Sequence, residues 1–160
     1  MSQIEADSGL LQTEVDTLFV SVRKHRLLVP AAGVAEVAQQ VEREPAAPGD
    51  PAWLVGWMQW RMQRIPLISF ESLGNGEVEP SEGRMALVMH TMTDTDKFHF
   101  FALQIQGFPH LMRITAADLM QEMVTDEHPF TAMTVAMDSW QAIIPDLAKL
   151  ENFLAEQLPS

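Results

Sequence analysis

The side chains that could carry out chemistry are few and widely spaced along this chain. There is no cysteine, which excludes disulfides, thiolate catalysis and cysteine-ligated metals. No serine lies in a GxSxG context, and no two histidines have the four-residue spacing of a zinc protease. The histidines are His25, His90, His99, His110 and His128. The sequence therefore predicts no catalytic residues, no metal and no cofactor. An enzyme with an unrecognised acidic site is a further hypothesis, which loss of turnover on changing Asp94 or Asp96 would support.

Large apolar side chains indicate association rather than catalysis. The chain has four tryptophans and 11 methionines, which are residue types that anchor interfaces but also fill cores. Trp57 and Trp60 lie on opposite faces of a predicted strand, because side chains alternate along a strand. Both cannot enter one small interior, so one of them should meet the other half of the molecule or a partner. Arg61 either bonds backbone carbonyls at a turn or contacts a partner.

Residues 53–73 predict the elements that position these side chains. Alternation over residues 54–60 predicts a strand, a turn follows near residues 61–63, and residues 65–68 form a second apolar strand. Ser69 is suited to cap a helix after that strand. The segment 142–150 repeats this order of strand, capping residue and helix, with Asp146 in the place of Ser69, which predicts a two-part architecture.

The rest of the chain reads as short strands joined by polar loops. We predict a hairpin over residues 17–30, a short helix over 31–37, and strands over 85–90, 98–105 and 133–137. Thr115 and Asp118 resemble a capping box. A proline-rich connection covers 44–51, and the loop at 74–83 marks the expected seam between two subdomains. Residues 1–16 are an expected flexible acidic leader, residues 17–155 one domain, and residues 156–160 a tail.

Charge is distributed unevenly along the chain, which has a net charge of −12. Residues 1–16 carry four acids and no bases, residues 17–70 six bases and four acids, and residues 71–160 four bases and fourteen acids. This balance opposes nucleic-acid binding, which needs clustered cations. The chain has no signal-like start and no apolar run of about 20 residues. We therefore expect a cytoplasmic protein without membrane insertion.

Two motifs resemble the CheW-like domain, the coupling module of bacterial chemosensory arrays. The family pattern is Val/Ile-Asn-Leu-Arg-Gly followed by Val-Pro-Val-Ile-Asp-Leu, and this chain has MQWRM at 58–62 and IPLISF at 65–70. Gln59, Met62 and Ser69 replace the family asparagine, glycine and aspartate. Met62 predicts either a different turn or a positive φ that costs roughly 1 kcal/mol. The tryptophan context is similar to the stand-alone CheW-like proteins of type IV pilus chemosensory systems, the ChpC type.

The resemblance implies a fold and a function. The expected fold is mainly β with short helices, in two packed five-stranded SH3-like β-barrels. The expected function is a non-catalytic adaptor that binds the regulatory domain of a CheA-like histidine kinase and the cytoplasmic tip of a methyl-accepting chemoreceptor, with other CheW-like proteins as further partners. A small acidic SH3-like or OB-like binding module outside chemotaxis is the alternative. The predicted partner-binding residues are Val34, Glu36, Val37, Trp57, Gln59, Trp60 and Arg61.

Overall fold

The computed structural model describes residues 14–78, 84–93, 97–115, 118, 128–137 and 140–158. The part of the chain that it describes is mainly β with two short helices, in agreement with the predicted fold class. Most of the expected leader, Asp94 and Asp96 lie outside the described residues. The elements are β1 (Glu14–Ser21), β2 (Arg26–Pro30), β3 (Val34–Ala38), β4 (Arg43–Pro45), β5 (Leu54–Trp60), β6 (Gln63–Ile68), α1 (Phe70–Asn75), β7 (Met85–His90), β8 (Phe100–Ile105), β9 (His110–Thr115), β10 (Thr131–Met137), β11 (Trp140–Pro145) and α2 (Leu147–Gln157).

The strands form two sheets, in agreement with the predicted two-part architecture. The first sheet has the order β10-β11-β2-β1-β9, and the second has the order β3-β7-β8-β6-β5-β4. The second sheet has a sixth strand because β4 pairs with β5. The first sheet combines strands from both ends of the chain. We expected the seam between the two halves at residues 74–83, but this segment joins α1 to β7, which follows β6 within the second sheet. The chain changes from one sheet to the other after β2 and again after β8.

The second sheet is rolled rather than flat. β3 and β5 are four positions apart in its strand order, which is roughly 19 Å in a flat sheet. Nevertheless the indole Nε1 of Trp60 on β5 donates to Glu36 Oε2 on β3 at 3.1 Å. Rolling encloses a buried cluster of this sheet's own side chains. The members are Met58, Trp60, Ile65, Leu67, Ala86, Val88 and Ala102.

One larger core joins the two sheets and both helices. Leu27 and Ile143 of the first sheet pack in it with Leu87 and Leu103 of the second, and Leu150 of α2 packs there as well. All five side chains are almost completely buried. Burial of apolar surface on this scale is the main favourable term in folding, so the two sheets form one hydrophobic unit.

The predicted repeat is present in the structure. Ser69 caps α1 by accepting a hydrogen bond from Ser72 N at 3.1 Å, and Asp146 caps α2 by accepting one from Lys149 N at 3.0 Å. The two capping residues also donate backbone hydrogen bonds to equivalent carbonyls, those of Trp53 and Phe130. Each pair of matched positions is separated by 77 residues. Both segments therefore form the same strand, cap and helix.

Each helix also contributes a buried carboxylate that binds a hairpin turn of the opposite sheet. Glu71 of α1, which follows the second sheet's β6, accepts from Lys24 N at 2.9 Å and lies 2.8 Å from His25 Nδ1. Glu151 of α2, which follows the first sheet's β11, accepts from the amides of Met92 and Thr93 after β7. We call these two contacts the carboxylate clamps.

The predicted helix over residues 31–37 is wrong. A 3₁₀ turn covers Ala31–Gly33, and β3 follows and pairs with β7. Val34 and Val37 have the three-residue spacing that is typical of one face of a helix. In the structure the register of β3 shifts between Val34 and Glu36. Because of this shift both valines face the shared core, so a strand has the three-residue apolar spacing that is usual for a helix.

Candidate partner-binding site

Three of the predicted residues meet at one end of the rolled second sheet. Trp60 is buried and Glu36 is partly exposed. The guanidinium of Arg61 lies 4.6 Å from the centre of the Trp60 ring, and one of its nitrogens is 3.6 Å from Glu36 Oε1. Glu36 therefore bonds the indole through one oxygen and pairs with the arginine through the other. We call Glu36, Trp60 and Arg61 the indole cluster.

The turn between β5 and β6 projects from this cluster. It has two residues, Arg61 with φ 47° and Met62 with φ 65°, in the place where the sequence predicted a turn. Positive φ at both central positions is the type I′ arrangement, which suits the twist of a hairpin and favours glycine or asparagine. Met62 is 100% exposed. The apex of the hairpin thus presents a cation and an apolar side chain together.

Trp57 and Gln59 face away from the indole cluster. The Trp57 ring is 4.1 Å from the guanidinium carbon of Arg64, which also pairs with Glu44 at 3.2 Å. These four residues line a shallow groove of about 280 Å³ beside β4. The two tryptophans of the hairpin therefore lie on opposite faces, as the alternation predicted. Trp57 packs against the core shared by both sheets and Trp60 against the second sheet's own cluster.

Val34 and Val37 are positioned differently from the other predicted residues. Both are half-buried, and both pack against the core shared by the two sheets. Their strand neighbours on β7 are Met89 and Leu87, which are completely buried. The structure therefore gives these valines a packing role, and only Glu36 of this strand reaches the indole cluster.

Sequence reasoning missed Arg64, Glu44 and Phe100. Phe100 packs against Trp60 with ring centres 4.7 Å apart. The position of Arg64 could have been found by fixing the turn at residues 61 and 62, since the hairpin register then pairs Gln59 with Arg64. Glu44 and Phe100 come from strands whose neighbours no local pattern indicates.

The described residues provide contact surfaces and show no metal site. No group of three or more histidine, aspartate or glutamate side chains among residues 14–78, 84–93, 97–115, 118, 128–137 and 140–158 could bind a metal ion. Among the same residues no helix is long and apolar enough to cross a membrane. Thr115 and Asp118 make the predicted capping hydrogen bonds, and residues 119–127 are not among the described residues.

Comparison with known proteins agrees with this architecture. The fold is similar to that of the scaffolding protein TtCheW from Thermoanaerobacter tengcongensis, with a TM-score of 0.66 and 15% sequence identity over 84% of this chain and 86% of that one. No curated protein sequence matches the chain. The family model for the CheW-like domain matches residues 16–153. The chain therefore belongs to the CheW-like domain family.

Proposed function

We propose that this protein is a non-catalytic chemosensory adaptor that couples a chemoreceptor to a CheA-like histidine kinase. Its partners are the regulatory domain of the kinase, the cytoplasmic tip of a methyl-accepting chemoreceptor, and other CheW-like proteins. An adaptor of this kind acts by raising the effective concentration of its partners and by transmitting a small change in one of them to the other. It would work in the cytoplasm, at membrane-associated arrays.

The indole cluster and its turn carry this proposal. Arg61 is 65% exposed, and its ion pair with Glu36 is a long surface contact. Such pairs contribute between zero and about 1 kcal/mol, so the guanidinium can exchange Glu36 for a partner carboxylate at little cost. Met62 beside it adds apolar area, and arginine with neighbouring apolar contacts is typical of interface centres.

Binding to both partners tests the proposal directly. We would measure the affinity of the purified protein for the kinase regulatory domain and for the receptor tip from the same cell by calorimetry. We expect Arg61→Glu to weaken binding to at least one partner by about tenfold or more, equivalent to about 1.4 kcal/mol. Arg84→Glu is the matched control, because Arg84 is exposed and lies outside the indole cluster.

Substitution of Val37 would not be an informative test. Val37 packs against the core shared by both sheets, so Val37→Asp would place a charge in an apolar contact and reduce folding. Loss of binding in that variant would not separate a contact from a structural defect. Wild-type protein that binds neither partner would contradict the adaptor proposal and favour a small acidic β-sheet binding module outside chemotaxis.

The output that we propose is type IV pilus twitching or another form of motility. This part rests on the GWMQWR context at 56–61 and on IPLISFE at 65–71, which resemble the ChpC type of CheW-like protein. Deleting the gene in its own bacterium should reduce twitching and leave flagellar swimming intact. Loss of swimming alone would assign the protein to the flagellar pathway.

A further inference from the structure

A groove opens into the first sheet, remote in sequence from the β5–β6 hairpin. Its volume is about 440 Å³, and Phe19, Met112, Thr134, Trp140 and Ala142 are among the residues that line it. Met112 is on β9 and Thr134 on β10, the two edge strands of this sheet. Both edges can line one groove only if the first sheet is also rolled, so the groove opens into the interior of that roll.

The internal repeat explains why this interior is open. Position 58 corresponds to 135 and position 65 to 142 when the two halves are aligned 77 residues apart. In the second sheet these positions are Met58 and Ile65, which are buried in a packed cluster. In the first sheet they are Val135 and Ala142, which are smaller, and Ala142 lines the groove. The smaller side chain at position 142 therefore leaves an open groove that an apolar side chain of a partner can enter.

Positive charge lies at the rim of the same groove. Lys24 and Arg26 line it, both are exposed, and Arg23 is adjacent. In the part of the chain that the structure describes, no acidic side chain pairs with Lys24 or Arg26, whereas Arg64 and Arg113 do form such pairs. A cationic rim on a protein of net charge −12 attracts acidic groups selectively.

We propose that this groove binds an acidic peptide segment of a partner protein. The peptide's apolar side chain packs in the groove against Met112 and the contacting rings of Phe19 and Trp140, and its acidic side chains pair with Lys24 and Arg26. A nucleic acid is disfavoured because its affinity comes from many phosphate contacts, and the rim has few cations. This inference does not depend on the indole cluster, which lies in the other sheet.

The test is a titration of the isotope-labelled full chain with a capped peptide, EDLFDE, followed by NMR. We expect saturable shifts of the Trp140 indole resonance and of the backbone amides of Lys24 and Arg26. Lys24→Glu should weaken binding about tenfold, whereas Arg84→Glu, with the same change of charge outside the groove, should leave it unchanged. The peptide EDASDE, with equal charge and no large apolar side chain, should bind about tenfold more weakly.

A second variant tests whether peptide binding requires the open space of the groove. Ala142→Ile places in the first sheet the residue that the second sheet has at the equivalent position, and it should fill the groove and abolish binding without lowering stability. Equal effects of Lys24→Glu and Arg84→Glu would overturn the proposal. Equal affinity for the two peptides, or displacement of the peptide by a thymidine oligonucleotide of the same charge, would also overturn it.

Discussion

Met62 has a fully exposed side chain and a backbone in the left-handed region, at φ 65°. A residue with a Cβ pays roughly 1 kcal/mol or more for that conformation, because Cβ approaches the following carbonyl oxygen. The related family motif has glycine at this position. In this chain the turn therefore has a positive φ at a residue that is not glycine, and this conformation lowers the stability of the fold.

Replacing Met62 by glycine should stabilise the protein. We expect Met62→Gly to raise the free energy of unfolding in urea by about 1 kcal/mol, because glycine adopts positive φ without a steric cost. Met62→Ala keeps a Cβ at the same φ and should change stability by less than about 0.5 kcal/mol. Equal stability of the glycine and alanine variants would show that the turn is not strained.

The hydrogen bond between Trp60 and Glu36 is the second prediction at the residue scale. Trp60→Phe removes the indole donor but leaves a ring against Phe100, and we expect it to lower the free energy of unfolding by about 1–2 kcal/mol. Glu36→Gln leaves an acceptor for the indole and should cost less than about 0.5 kcal/mol. Similar losses in both variants would mean that the charge of Glu36 contributes as much to stability as the indole hydrogen bond.

At the scale of secondary-structure elements, one buried carboxylate attaches α2 to the turn that follows β7. Glu151 is 1% exposed, its Oε1 accepts the hydrogen bonds from Met92 and Thr93, and its Oε2 has no partner among the described residues. Glu151→Ala would remove both of these charge-assisted hydrogen bonds from a partly buried turn and should lower the free energy of unfolding by about 3 kcal/mol.

A conservative change at the same position separates the hydrogen bonds from the charge. Glu151→Gln keeps an acceptor for both amides and should cost clearly less than the alanine variant in the same urea titration. Glu156→Gln is the control, since Glu156 is exposed on the same helix and its change should have almost no effect. Equal losses for the glutamine and alanine variants at position 151 would mean that charge, rather than the acceptor, binds this turn.

At the scale of the whole molecule, the shared core predicts a single unfolding transition. Leu150 is completely buried among residues of both sheets, so Leu150→Ala should lower the free energy of unfolding by about 3 kcal/mol. Tryptophan fluorescence reports mainly on the second sheet's hairpin, and far-UV circular dichroism reports on both sheets. The two signals should shift to the same lower urea midpoint. Separate midpoints would show that the two sheets unfold independently.

The local features of the chain could be predicted from its sequence. The alternation over residues 54–60, the turn at Arg61 and the caps at Ser69 and Asp146 all depend on contacts within a few residues. Strand alternation, turn preference and helix capping are properties of short segments. The helix predicted over residues 31–37 was wrong. Val34 and Val37 have the apolar spacing of a helix, but this spacing results from a register shift in the pairing of β3 with β7.

Sheet membership, the rolling of the sheets and the carboxylate clamps were decided only by the tertiary structure. β1 pairs with β9 across almost a hundred positions, Glu71 reaches Lys24 across 47, and Glu36 meets Trp60 across 24. Contacts at these separations form only where the summed burial of a shared core offsets the entropy of closing long loops. A short segment taken alone does not show whether burial in the core will offset the entropy of closing the loop. The amino-acid sequence alone therefore predicted the hairpin and placed Arg61 at its turn. Rolling of the second sheet put Glu36 beside this arginine, and rolling of the first sheet opened the groove.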